Sequence, residues 1–290
     1  MKDNDFAVGV IVILGIIGVA LMGGVKNNQQ TVTAPATSNN PTIEEQIDQS
    51  NKRASEISQE ISDLQKASTE SRYKGLVSIS YINRSSEYSQ EYVVIRTNAG
   101  TTTIPVTGWT IKSLSTGNSV SVSQGVYLYF SNSLNSKNDI ILTGNNVLYV
   151  ITGSSPIGFS FQLNKCFGYL SQFQTFIPYI YTNCPTPRNM DLSSIPNRVE
   201  NDSCFDYIDS FPSCKTQTDP LPNSWSQECK NFILNKINYN SCIGTYKNDK
   251  DFYLGDWRVY LARSAKLWKD RREDIELLDN EGKIVDELKY

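Results

Sequence analysis

The residues with the most evident chemistry in this chain are its six cysteines, Cys166, Cys184, Cys204, Cys214, Cys229 and Cys242. They share one C-terminal stretch and are even in number, as in a disulfide framework made in an oxidising compartment. A zinc site would need C-x-x-C pairs or histidine partners, and the chain has no C-x-x-C pair and no histidine. Reduced, buried thiols are the remaining structural reading. The order of pairing cannot be read from spacing. The lack of histidine also removes Ser-His-Asp and Cys-His catalysis, H-E-x-x-H zinc chemistry and histidine phosphotransfer. No G-x-S-x-G elbow, P-loop or G-x-G-x-x-G motif is present. No cofactor is expected.

Two other groups of side chains have chemical potential. Asn248, Asp249, Lys250 and Asp251, with Asp256, offer oxygen ligands of the kind Ca²⁺ takes, but not at EF-hand spacing and without its closing Glu. A solvated loop is the plainer reading, and no metal is assigned. The segment 257–272 (WRVYLARSAKLWKDRR) sets Arg258, Arg263, Lys266, Lys269, Arg271 and Arg272 among Trp257, Tyr260 and Trp268. Cations beside aromatic rings grip phosphates, sugar acids or bases, which makes Arg258, Arg263, Lys266, Trp268, Arg271 and Arg272 candidate ligand residues. The opposing reading is a strand pair with basic residues outward and Trp rings in the core. Charge favours that second reading. From Ser71 to Tyr290 there are 22 Lys+Arg against 21 Asp+Glu, and 5 against 9 before it, so no polyanion surface follows and nucleic acid is not an expected partner.

The elements that must carry these residues are marked along the chain. Residues 6–25 (FAVGVIVILGIIGVALMGGV) hold no charge, and as a helix at ~1.5 Å per residue they cover about 30 Å, one bilayer core. The run reads as a membrane anchor. A cleaved leader is the alternative, opposed by an N-terminus without positive bias and the poor cleavage site Ala20-Leu21-Met22. Lys2 and Lys26 nearly cancel in the positive-inside count, so orientation rests on the cysteines. They place the C-terminal part outside the cytoplasm, on a single-pass protein of the cell membrane.

Residues 26–41 are Asn, Gln, Thr and Ser with little to bury, a flexible linker. A stalk helix is expected over 42–69. Thr42 and Glu45 have capping-box spacing, and Ile43, Ile47, Ala54, Ile57, Ile61 and Leu64 step by four and three, with Ser50 in the one open place. That is a short coiled-coil stripe for a homo-oligomer; a single solvated helix is the alternative. Beyond Ser71 the pattern becomes short strands separated by Gly, Asn and Ser turns. They are 76–82, 91–96, 108–111, 126–130, 140–142 and 147–151, which together mean an antiparallel sandwich or barrel. Trp109 is expected in its core, and 279–282 (DNEG) is expected to turn a closing hairpin.

Several of these segments resemble a known family. The succession 91–96 (EYVVIR), Gly108-Trp109-Thr110-Ile111 and 138–142 (NDIIL), with the closing 272–286 (REDIELLDNEGKIVD) and Tyr290, is similar to a lamin tail domain. The resemblance covers about 71–166 and 257–290. It implies an immunoglobulin-like β-sandwich, found in nuclear lamins and in prokaryotic surface or secreted proteins, that acts through binding and scaffolding surfaces and has no common catalytic residues.

Between the matching blocks lies 167–256, which holds five of the six cysteines and reads as helix and loop. A short helix is expected from Asp202 until Pro212 stops it. A second follows a cap at Ser224, with Trp225, Cys229, Phe232, Ile233 and Lys236 on one face. Poor in apolar residues for its length, this insertion would draw stability from disulfides at ~2–4 kcal/mol each. A bond from Cys166 into it would staple it to the strands. The expected fold is thus mainly β: a sandwich over 71–290 with a disulfide-rich insertion, after a membrane helix and a stalk. The expected role is non-catalytic: structural or adhesive contact with a surface protein or polymer. The alternatives are an accessory module holding polysaccharide or DNA for a partner hydrolase, and a carboxylate-dependent hydrolase.

Overall fold

The computed structural model of the chain describes residues 42–131, 133–181 and 184–290. The apolar run 6–25 and the linker 26–41 lie outside these residues. Among the described residues, no helix is long and apolar enough to cross a membrane.

Helix α1 (Ile43–Thr69) begins at a reciprocal cap. The Glu45 N–H donates to Thr42 Oγ1 at 3.3 Å and the Thr42 N–H donates to Glu45 Oε2 at 2.8 Å, so each side chain satisfies a backbone donor that the first turn leaves free. None of its residues is buried, and Ile43, Ile47, Ile57, Ile61 and Leu64 are all exposed.

Among the described residues eleven strands follow: β1 (Val77–Asn83), β2 (Tyr92–Thr97), β3 (Ile104–Pro105), β4 (Thr110–Ser113), β5 (Ser119–Ser121), β6 (Ile141–Leu142), β7 (Val147–Ile151), β8 (Phe161–Asn164), β9 (Tyr253–Tyr260), β10 (Asp274–Leu278) and β11 (Ile284–Lys289). They make a five-stranded sheet in the order β1-β2-β7-β9-β8, a four-stranded sheet in the order β11-β10-β4-β5, and the small pair β3-β6. One buried cluster draws on both larger sheets. Val93 and Ile95 of β2, Leu148 and Val150 of β7, and Trp257 and Val259 of β9 meet Ile111 of β4, Ile275 and Leu277 of β10, and Val285 of β11. Alternate residues of each strand point the same way, which is why these sequences read as strands. Trp109 lies in this cluster at 1 % exposure, its ring 5.2 Å from that of Tyr73.

The structure differs from the expected mainly-β fold: it is mixed α/β. The chain between β8 and β9 holds three α-helices, α2 (Asp202–Ser210), α3 (Gln227–Lys236) and α4 (Tyr239–Tyr246), together with short 3-10 turns including Phe167–Gln172. It builds a cluster of its own from Phe167, Tyr169, Phe176, Ile208, Phe232, Ile243 and their neighbours. Ile151, Phe161, Leu163 and Tyr260 join it from β7, β8 and β9, so that part of the sheet is covered on both faces. This explains the unbroken apolar run of β7, because a strand buried on both sides has no polar face to alternate. Three disulfides brace the inserted cluster: Cys166–Cys242, Cys184–Cys214 and Cys204–Cys229. The first ties Cys166, two residues past the end of β8, to α4.

Three local expectations are corrected. Residues 126–130 form no strand; Val126 makes a single bridge to Phe161, next to one between Gly125 and Asn138. The segment instead crosses between clusters: Tyr127 packs edge-on to Trp257 at 4.8 Å, while Leu128 and Tyr129 pack on the insert. Gly125 lets it approach, because a Cβ there would stand 2.7 Å from the Trp257 ring. The sheet is not wholly antiparallel, for β9 runs parallel to β7. A parallel neighbour needs a long crossover, and the insertion supplies one. The cap of α3 is Ser226 instead of Ser224, its hydroxyl accepting from the Cys229 N–H, and a turn in which the Trp225 N–H donates to the Pro222 carbonyl precedes it.

Candidate functional site

The basic–aromatic segment does not assemble on one surface. Trp268 is 3 % exposed and belongs to the sheet cluster, and Arg258, in β9, is equally buried. The Arg258 guanidinium lies 3.5 Å from the centroid of the Tyr149 ring and 3.8 Å from Asp256 Oδ2. Burial pushes Arg258 below its ordinary range, with Asp256 and Tyr149 opposing; burial raises Asp256, with Arg258 and Arg96 opposing. Lys266 is engaged by Asp270. Arg263 is partly buried and its backbone N–H donates to the Thr152 carbonyl at 2.9 Å. Only Arg271 and Arg272 of the six candidates are exposed.

Two buried carboxylates hold the loop that carries these cations. Glu91 Oε1 accepts from the Leu267 N–H and from Thr152 Oγ1, both at 2.8 Å. Glu273 Oε2 accepts from the Lys269 N–H at 2.8 Å, and its Oε1 accepts from Ser113 Oγ at 2.8 Å and the Asp274 N–H at 2.9 Å. The loop is therefore pinned at two backbone positions, and Leu267 and Trp268 enter the core between them. Sequence reading missed both acids, because a buried Glu in a strand-rich segment has no local signature. Asp249 and Asp251 both turn to Lys165 Nζ, at 2.7 and 2.9 Å. Asp256 faces Arg258 instead, so the acidic residues do not converge. Among the described residues no group of His, Cys, Asp or Glu is arranged to hold a metal ion.

What the fold does assemble is an open hollow of about 340 Å³ in the insert, where Tyr129, Tyr169, Phe173 and Tyr239 meet. Tyr169 and Phe173 come from the 3-10 turn after Cys166, and Tyr239 opens α4, so the Cys166–Cys242 disulfide joins the two walls. The Tyr239 hydroxyl donates to the Tyr129 carbonyl at 3.0 Å, which fixes the third wall. Asn238 caps α4, its Oδ1 accepting from the Ser241 N–H at 2.9 Å. Next to it, Asn240 Oδ1 accepts from Ser131 Oγ at 2.9 Å. Thr216 is held from its backbone, which both donates to and accepts from the Gln172 amide. Burial, with Tyr246 adding to it, pushes the Tyr169 phenol up to about 12, so it remains a neutral hydroxyl. Among the described residues that line the hollow, none is charged. Phe173 stands at its edge, 58 % exposed, and Tyr179 and Tyr181 are 58 % and 86 % exposed further along the same loop.

The sequence pointed to the cysteines that brace this hollow and to none of the residues that line it. Asn238-Tyr239-Asn240-Ser241 was the available signal: an Asn followed three residues later by the N–H it caps. Searches against family models and against curated proteins matched nothing.

Proposed function

We propose that this protein is a non-catalytic interaction module of the cell surface: a lamin-tail-like, immunoglobulin-type β-sandwich whose disulfide-braced insert is the contact surface. In this reading residues 6–25 anchor the chain in the membrane and the C-terminal part lies outside the cytoplasm. The observation that carries it is the contrast between carboxylates and aromatics. Glu91 Oε1 and both oxygens of Glu273 accept from backbone N–H groups, whereas the insert leaves Phe173, Tyr179 and Tyr181 in water. Exposed aromatic anchors on a rigid support suit recognition. Adhesion of the full-length protein, held in liposomes, to cell surfaces and surface polymers tests this. The joint replacement Tyr179→Ser and Tyr181→Ser should reduce adhesion at least tenfold; unchanged adhesion, or turnover of a bound polymer, overturns the reading.

The exposed stripe on α1 supports association with a second copy as part of the same display. With Ile43, Ser50, Ile57 and Leu64 alternating against Ile47, Ala54 and Ile61 on the 3.5-residue repeat, the flanking positions are mostly uncharged, so identical chains do not repel. Sedimentation of the full chain in detergent should show a self-association that Ile57→Asp weakens. A monomer before and after the change overturns it.

A further inference from the structure

We propose that the aromatic hollow binds a neutral sugar ring of a polysaccharide chain. This rests on reading the insert as an interaction surface, and it names what that surface takes. A pyranose presents C–H groups on its faces and hydroxyls around its edge, and it therefore needs apolar planes and neutral hydrogen-bonding groups in one place. The hollow has both. Phe173 offers an exposed ring with no hydroxyl to desolvate, and the electron-rich face of such a ring attracts polarised C–H groups. Half-buried Tyr129 adds a second ring, 6.1 Å from that of the buried Tyr239, whose hydroxyl donates to the Tyr129 carbonyl and holds it in place.

The polar groups match the edge of the sugar. Asn240 Oδ1 is used by Ser131, which leaves its Nδ2 donors facing no protein acceptor among the described residues. Gln174, exposed at the rim, keeps its whole amide free among those residues. An amide sets a donor and an acceptor in one plane, and neighbouring hydroxyls on a sugar do the same.

Other ligand classes fit less well. A phosphate, uronic acid or peptide carboxylate would lose its hydration at a lining that has no charge to offset the loss. A wholly apolar ligand would cover amides and hydroxyls and leave them unpaired, which is unfavourable. A volume of about 340 Å³ is at the small end for ligand pockets, room for one ring. Gln172, whose amide pairs with Thr216 of the hollow, also lines a second depression with Tyr179, Tyr181 and Lys215, so a chain longer than one ring has further surface to meet. A polymer is thus the favoured occupant over a free monosaccharide.

Calorimetric titration of the full-length protein in detergent tests the assignment. The probes are neutral hexasaccharides of glucose and of N-acetylglucosamine, methyl glucoside, and hexagalacturonate. Expected is binding of at least one neutral hexasaccharide, tenfold or more tighter than methyl glucoside and than hexagalacturonate. Phe173→Ala and Asn240→Ala should each weaken it at least tenfold. Lys266→Ala, on the loop across the molecule, should leave it unchanged. Phe173 and Asn240 are exposed, so an unaltered near-ultraviolet circular dichroism spectrum will show that both variants fold. No neutral binding at ~10 mM, a range weaker than any useful affinity, overturns the assignment. So does binding that Phe173→Ala leaves intact, or equal affinity for the acidic or the monomeric probe. If adhesion to cell surfaces depends on Tyr179 and Tyr181 while every sugar fails, the sugar assignment falls and the interaction module stands.

Discussion

The two hydrophobic clusters of this protein meet along the strands β7 and β9 and use different materials. In the sheet cluster, Trp109, Ile111, Trp257 and Leu277 are buried to within 1 % by strands that alternate in and out, and no cysteine takes part. In the insert cluster, helices of eight to ten residues carry only two or three buried residues each, and disulfides join them. Helices that short do not hold themselves in water. Apolar area thus sustains the first cluster and covalent closure the second, while β7 and β9 give side chains to both and β8 to the insert cluster alone. The sheet should therefore survive damage to the insert, and the insert should not survive damage to the sheet.

The largest effect should come from the sheet. Trp109→Ala empties a large buried site and should cost about 3–5 kcal/mol. Three of the four Trp residues, Trp109, Trp257 and Trp268, lie in the sheet cluster, and Trp225 packs on the insert. In urea, Trp225 fluorescence in a Trp257→Phe, Trp268→Phe, Trp109→Ala chain should be lost in step with the circular dichroism of the strands. A Trp225 transition that persists to higher urea would mean that the insert is independent. Removing residues 279–290, and β11 with them, should abolish folding of the sheet altogether, since β10 would lose one of its two partners.

Next in size is the covalent brace. Replacing Cys204 and Cys229 together by Ala should cost about 2–4 kcal/mol. Amide exchange should show where: protection lost over α2 and α3, and kept over β1, β2, β4 and β10. Equal loss in both regions would contradict the asymmetry.

These same materials explain what could be read in advance. Strands β1, β2, β4, β6 and β7 announce themselves through runs such as Tyr92-Val93-Val94-Ile95, and the capping box of α1 through Thr42 and Glu45, because each signal is local; β3 and β5, of two and three residues, are too short to carry one. The return of the chain as β9, parallel to β7, follows from where the insertion ends in space, and no residue near Tyr253 states it. Trp257 and Arg258 show the difficulty most clearly. Adjacent in sequence, they face opposite sides of a sheet that is covered on both, so the expectation of Trp rings inward and basic residues outward holds for Trp257 and fails for Arg258, which is buried too. The hollow was illegible for the same reason: Tyr129, Phe173 and Tyr239 come together through the Cys166–Cys242 bond, the Gln172–Thr216 pairing and the Tyr239 hydroxyl on the Tyr129 carbonyl, all distant in sequence.

Acid should separate the regions by a smaller margin. Burial raises the Glu273 carboxyl, but hydrogen bonds from the Lys269 N–H, Ser113 and the Asp274 N–H outweigh it and leave the group below its ordinary value. Asp279 is likewise lowered: burial is outweighed by Ser71 and the N–H groups of Lys283 and Glu281, helped by the Lys283 charge. A carboxylate lowered on folding contributes stability that is complete above its unfolded pKa, about 4 for these residues, and that disappears as pH falls through the lower folded value. The sheet, which holds both groups, should therefore weaken below about pH 4 while the insert keeps its disulfides. Glu273→Gln should remove about 1–3 kcal/mol at neutral pH by leaving N–H groups without a charged acceptor, and should flatten the acid slope. An unchanged slope would assign the acid response elsewhere.

The smallest effect is expected at the joint between the two regions, and it sharpens the comparison because it involves charge instead of apolar area or covalent bonds. Lys165 follows β8 directly, its N–H donates to the Phe252 carbonyl at 3.0 Å, and its ammonium reaches Asp249 and Asp251 where the insert returns to β9. The two carboxylates and burial act on it in opposite directions, burial lowering its pKa and the acids raising it, with the net shift upward. Both acids are largely open to water, so solvent and salt screen the pair and little free energy is at stake. The Lys165 ammonium also lies 5.2 Å from the centroid of the Tyr246 ring; a methionine gives up that charge–ring contact and keeps an apolar chain of similar length. Lys165→Met should thus lower Tm by no more than about 2 °C, and less at high salt than at low. A larger, salt-independent drop would show that the joint depends on this ion pair, and the sheet and insert would then be held together by electrostatics as much as by the strands they share.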